Sequence, residues 1–118
     1  CRVTLLRSGG NLGFAGGCNA GIAAGGLDRF DYFWLLNTDT VVHRDALSAL
    51  VGRARRDGHL GMVGSTIRWY DRPGFIQCMG GARLDPRTVD AHHVGEGEPV
   101  EALGVRAAEA ERELSYVM

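Results

Sequence analysis

The sequence contains no lysine; all 13 of its basic residues are arginine. A Walker lysine, a Schiff-base lysine and a lysine general base are thereby excluded. Cysteine is scarce: Cys1, Cys18 and Cys78 form an odd set with no C-x-x-C pair and no zinc spacing. Neither a disulfide framework nor a structural zinc site is expected from them. Reduced thiols in a cytoplasmic protein are the simplest reading. An excess of charge of one sign is also lacking. The net charge of −1 gives no electrostatic case for a nucleic-acid partner or a polybasic membrane contact. No apolar run approaches the ~18–20 residues of a membrane span. His43, His59, His92 and His93 complete no ligand set with the cysteines, and the His92–His93 pair is expected in a polar loop.

What is present suits one domain. A chain of 118 residues can bury one modest core and not two, so residues 1–118 are expected to form a single unit. Arg2 to Leu6 reads as a short buried strand. A loop from Ser8 leads into a helix that starts near Ala15 or Gly16 and stops at Gly25–Gly26. Gly21 makes that helix poor by propensity, so packing has to hold it. Asp31 to Leu36 is a nearly continuous apolar run, the pattern of a central parallel strand covered on both faces. Leu47, Leu50, Val51 and Ala54 fall at helical spacing, with Asp45 as N-cap and Gly58 as stop. Gly61 to Trp69 reads as a further strand.

This order of elements predicts an α/β sheet of mostly parallel central strands flanked by helices. Val3 to Leu6, Tyr32 to Leu36 and Met62 to Ile67 would be its strands. After Pro73 the pattern changes. Phe75 to Met79 and Ala82 to Leu84, around Gly80–Gly81, suggest a β-hairpin or edge ribbon. Glu96 to Pro99 reads as loop, and Val105 to Glu113 as either a helix or a mobile loop.

Two segments carry chemistry. Asn11 to Ile22, NLGFAGGCNAGI, is a Gly- and Asn-rich loop opening a helix. Such a loop can bring backbone N–H groups up to a phosphate. Tyr32 to Thr40, YFWLLNTDT, is an apolar strand with the carboxylate of Asp39 just past its end. A carboxylate there can hold the divalent ion that a diphosphate needs. Asn11 and Asn19 each donate and accept, which suits a nucleotide and a sugar hydroxyl. A dinucleotide fingerprint fits poorly, because Asn11 stands where its first glycine belongs and no acidic residue is placed for a ribose. Two plainer readings stay open. Gly13, Gly16 and Gly17 also serve close helix–sheet packing, and Asn37-Thr38-Asp39 also forms an Asx turn. Trp69 and Tyr70 suit a sugar-stacking platform or simple rim packing.

N-x-G-F-A-G-G-x-N-x-G-I followed by an apolar strand and N-x-D-T resembles the donor-side half of a family 2 glycosyltransferase of GT-A fold, most closely the rhamnosyltransferase-like members. The likeness runs from about Val3 to Leu84, and more faintly to Ser115-Tyr116-Val117. It implies a Rossmann-like GT-A sheet and an inverting transfer of a sugar, rhamnose among the candidates. The donor would be a thymidine- or uridine-diphosphate sugar, and the acceptor a polysaccharide or lipid-linked glycan. Asn11, Gly13, Gly16, Gly17, Asn19, Asn37 and Thr38 would line the donor site, and Asp39 would bind Mg²⁺ or Mn²⁺. The family's nucleoside strand would precede residue 1 and its acidic base motif would follow residue 118, so the chain is expected to be an incomplete catalytic domain, inactive alone. No catalytic residue is assigned. Activity is expected in the cytoplasm or at the inner face of the membrane, with any peripheral membrane association made by regions outside the chain. A nucleotidyltransferase and a non-catalytic nucleotide-sugar-binding module are the alternatives.

Overall fold

The computed structural model describes residues 3–117; Cys1, the expected strand start at Arg2, and Met118 lie outside them. The chain divides into two compact units, Cys1–Val42 and His43–Met118.

The first unit is built on helix α1, Gly13–Gly25. Its entry is shaped by glycine. Gly13 has a φ of +67°, a conformation that a side chain resists. The Gly13 N–H donates to Asn11 Oδ1 at 2.9 Å. A Cβ at Gly16 would come 2.9 Å from the Leu12 Cβ. The helix stops where Gly25–Gly26 predicts. Gly26 turns to φ +89° and its N–H donates to the Ile22 and Ala23 carbonyls. A 3₁₀ turn, Leu27–Arg29, follows, and Phe30 meets Phe33 edge to face at 6.0 Å.

Tyr32 to Leu36 departs from expectation. The segment belongs to no strand, and Phe33 and Trp34 are each 38% exposed. Val3 to Leu6 is likewise unpaired and exposed. The apolar pattern marks both segments as needing cover. A strand also needs a neighbour at ladder distance, about 4.8 Å away, and a local pattern cannot provide one.

The second unit begins with α2, Ala46–Arg56. Leu50, Val51 and Ala54 of its predicted apolar face are half-buried, and Leu47 is exposed. Asp45 is the N-cap position, but its side chain makes no capping bond. Five strands follow: β1 Thr66–Arg68, β2 Ile76–Met79, β3 Gly81–Leu84, β4 Ala91–His93 and β5 Tyr116–Val117. β1 pairs with β2, while β3 lies between β4 and β5. Every ladder among the described residues is antiparallel. The fold is therefore α/β with two small antiparallel sheets, and the expected parallel sheet is not among its ladders. The predicted strand at Gly61 to Trp69 shrinks to β1, and the register of its ladder shifts between Ile67 and Arg68.

The expected ribbons after Pro73 exist with different partners. β2 and β3 do not pair with each other. Gly80, at φ +79°, turns the chain out of one sheet and into the next. Gly81 lies against β5 so closely that a Cβ there would run into the Tyr116 carbonyl. Helix α3, Leu103–Glu113, realises the helical option for that stretch. Ile76, Met79, Val94 and Ala110 form the core cluster, with Val100, Leu103 and Leu114 packed against it. Burying one such aliphatic side chain is worth about 1.5–3 kcal/mol. Arg106 of α3 binds Glu98, Glu109 and Glu113 at 2.8–3.3 Å, tying the helix to the loop before it. Among the described residues no helix is long and apolar enough to cross a membrane.

Candidate functional site

All the residues expected to bind donor or metal belong to the first unit. Its helix α1 offers one consistent face. Phe14, Gly17, Cys18, Gly21 and Ile22 follow the helical repeat and, with Phe33 to Leu36, line an open groove of about 380 Å³. A Cβ at Gly17 or Gly21 would meet nothing within 4 Å, so these glycines leave the helix side of the groove free. The lining is apolar in character, and Gly17 is the one expected donor residue within it.

The other residues stand outside the groove lining. Asn11 spends its carbonyl oxygen on the Gly13 N–H, which fixes the loop's entry into α1 and leaves its amide N–H₂ free to donate. Gly13 and Gly16 answer to backbone demands, the first to its positive φ and the second to the nearness of Leu12. Asn19 sits within α1, exposed. Asn37 follows the apolar run and is exposed, and Thr38–Asp39 forms an exposed turn. The first turn of α1 carries no acidic side chain, so nothing opposes the partial positive charge of its free N–H groups.

Among the described residues no three His, Cys, Asp or Glu side chains gather as a metal centre. Asp39 takes part in none of their hydrogen bonds or ion pairs. A lone, exposed carboxylate does not make a resident metal site. It does suit an ion arriving already coordinated by a diphosphate, since Mg²⁺ characteristically uses one or two carboxylates plus phosphate oxygens and water. The residues present fit a divalent cation in that restricted sense.

Other sequence candidates resolve differently. Arg72 stacks over the Trp69 ring at 5.4 Å, a cation–π contact that the sequence did not reveal. Tyr70 is 86% exposed and keeps its ring free. The Asp85 carboxylate accepts the Arg87 N–H at 2.8 Å, and the Asp90 carbonyl accepts the Asp85 N–H at 2.8 Å. Both aspartates thus help shape the β3–β4 turn. Cys18 and Cys78 are free thiols. Burial pushes the Cys78 thiol up, away from the range in which a cysteine is nucleophilic.

The family model for Glycosyl transferase family 2 matches residues 1–92 of the chain. No curated protein and no solved structure matches it.

Proposed function

The chain belongs to glycosyl transferase family 2, and on that premise we propose that its first unit binds the diphosphate of a nucleotide-sugar donor. The observation that carries this reading is local. A Gly-rich α1 whose first turn lacks acid and an exposed Asn37-Thr38-Asp39 turn belong to the same compact unit. Backbone N–H groups at the start of α1 would face phosphate oxygens, with Gly13 and Gly16 keeping the loop tight. The free amide of Asn11 and the side chains of Asn19 and Asn37 would donate to nucleotide or sugar oxygens.

Asp39 would hold a Mg²⁺ or Mn²⁺ that comes with the donor. When bound, such an ion supplies positive charge against the departing diphosphate. We read the reaction as inverting. An acceptor hydroxyl, on a polysaccharide or lipid-linked glycan, attacks the anomeric carbon opposite the diphosphate, and a base takes its proton. We assign that base to no residue. Rhamnose among the sugars, a thymidine or uridine nucleotide in the donor and a cytoplasmic setting are the finer parts of the proposal, supported by the motif likeness.

The test is donor binding and transfer by the full-length enzyme, as wild type, Asp39→Asn and Asn37→Ala, with the divalent ion titrated against chelator. Asn replaces Asp with nearly the same shape and removes the charge. Asp39→Asn is expected to lose the metal-dependent part of thymidine- or uridine-diphosphate-sugar affinity. Its transfer rate should fall by roughly a hundred- to thousandfold, about 3–4 kcal/mol of transition-state stabilisation. Asn37→Ala should cost less, because it removes a hydrogen bond instead of a charge. Donor affinity indifferent both to chelator and to Asp39→Asn would reject the metal role and leave Asp39 as a turn residue.

A further inference from the structure

We propose that the turn end of the β3–β4 ribbon is an anion site, with Arg83, Arg87 and His92 receiving a phosphate-bearing ligand. It lies wholly in the second unit, shares no residue with the donor reading, and stands or falls separately from it.

Arg83 and His92 are direct partners in the β3–β4 ladder, and directly opposed residues of an antiparallel pair project from the same face. Arg87 comes from the connecting turn. With Leu84, Asp85 and Pro86 these residues line one open cleft of about 410 Å³. All three cationic or imidazole side chains belong to exposed residues, so an incoming anion need not displace packed structure to reach them.

Arg83 and Arg87 belong to the unpaired arginines of this unit, together with Arg55, Arg56, Arg68, Arg72 and Arg112 among the described residues, and differ from the helix arginines that carboxylates neutralise. Arg53 is paired with Glu111, and Arg106 with three glutamates. Among the described residues neither Arg83 nor Arg87 takes part in an ion pair. Asp85 is the one acid in the lining, and its Oδ1 already accepts the Arg87 backbone N–H at 2.8 Å. Within the lining two guanidiniums stand against one carboxylate, while Asp90, which closes the same turn, is not among the lining residues.

The turn that presents Arg87 is fixed from within. The Asp85 N–H donates to the Asp90 carbonyl, the Val89 N–H to the Asp85 carbonyl, both at 2.8 Å, and the Asp90 N–H to Thr88 Oγ1 at 3.3 Å. Val89 is held at φ +61°, a conformation costly for a β-branched residue. A turn kept in that state by its own hydrogen bonds presents its side chains from a defined frame.

The number of donors selects the ligand. One guanidinium fork satisfies both oxygens of a carboxylate. Two forks and an imidazole call for an anion with more oxygens and more charge, which a phosphomonoester or diphosphate provides. Such a group can come from a soluble phosphate compound or from a phospholipid headgroup.

Titration of the full chain with inorganic pyrophosphate, followed by backbone amide NMR, tests the site. Saturable shifts in residues 83–92 are expected, and binding is read from these residues, apart from any shifts in the donor loop at residues 11–17. Arg83→Gln/Arg87→Gln should weaken binding about tenfold or more, since charge-assisted hydrogen bonds are lost. Arg55→Gln/Arg56→Gln, which removes the same charge from exposed positions on α2, should leave binding close to wild type. Arg87→Gln alone, a turn substitution that leaves the ladder intact, should give a partial loss and guards against misfolding of the double variant. Co-sedimentation with phosphatidylcholine vesicles, with and without phosphatidic acid, separates the sources. Capture by phosphatidic acid that depends on Arg83 and Arg87 identifies a headgroup. Pyrophosphate binding without vesicle capture identifies a soluble phosphate. Equal weakening by both double variants, or no saturable shift in residues 83–92 together with no vesicle capture, would overturn the proposal.

Discussion

In the first unit the residues with chemical potential sit on a backbone that buries almost nothing. In the second unit the residues that bury have almost no chemistry to offer. No described residue of Cys1–Val42 is buried, and even Trp34 is 38% exposed. The second unit holds Ile76, Cys78, Met79, Ala82, Val94 and Ala110, all at 4% exposure or less. The difference follows from composition. Five glycines in α1, at positions 13, 16, 17, 21 and 25, supply backbone access and remove the side chains that would pack. Each interior glycine also costs helix stability relative to alanine. An open backbone and a cohesive core therefore draw on opposite residue types, and here they fall in different stretches of chain.

The comparison is broken most severely at Gly81. A Cβ there runs into the Tyr116 carbonyl, which belongs to the β5 backbone and cannot rotate away. Gly81→Val should destabilise the second unit by about 3–5 kcal/mol, read by chemical denaturation. A cost below about 1 kcal/mol would mean that β3 and β5 yield easily.

A matched pair of truncations sharpens it further. Ile76→Ala empties a fully buried position and should cost about 2–5 kcal/mol. Leu5→Ala, at 80% exposure, should stay within about 0.5 kcal/mol. Amide hydrogen exchange gives the same contrast without mutation, with slow exchange at Ile76 and Met79 and fast exchange through Tyr32 to Leu36. Similar costs at Ile76 and Leu5 would erase the distinction between the units.

The smallest expected effect concerns charge. The Arg53 guanidinium, hydrogen-bonded to Glu111 at 3.0 and 3.1 Å, holds the Glu111 carboxyl below its ordinary value of 4.5. A carboxyl lowered on folding adds stability above its unfolded value and loses it as pH falls through the folded value. Glu111→Gln should therefore lower the thermal midpoint slightly at neutral pH, and the gap to wild type should close in acid below 4.5. Added salt should narrow it, because the pair is exposed. A gap that widens in acid would assign the effect to something other than this ion pair.

Local signals in the sequence anticipated local structure. The spacing of Leu47, Leu50, Val51 and Ala54 gave α2, and Gly25–Gly26 gave the end of α1, because helix periodicity and glycine stops act over a few residues. The strand partners were not legible. The apolar run of Tyr32 to Leu36 signals a need for cover, whereas a ladder depends on a second segment far along the chain. The core was hidden for the same reason. Ile76, Met79, Val94 and Ala110 meet across a glycine turn, a loop and a helix, and no periodic pattern joins them. At the candidate site, the family likeness drew attention to Asn11, Gly16 and Asp39, but only coordinates revealed that Asn11 is already bonded to Gly13. The arginines of the β3–β4 cleft gave no signal, since only the ladder register sets Arg83 beside His92.

Cys78 gives the second unit an internal alarm. Its sulfur is fully buried and donates to the Gly81 carbonyl at 3.2 Å, and burial holds its proton on. An alkylating reagent reaches it only when the core around β2 opens, and Cys18, half-buried on α1, reacts without that event. Peptide-resolved alkylation of the unmodified protein thus times the opening of the core from a residue nature placed there, with no dye or engineered label.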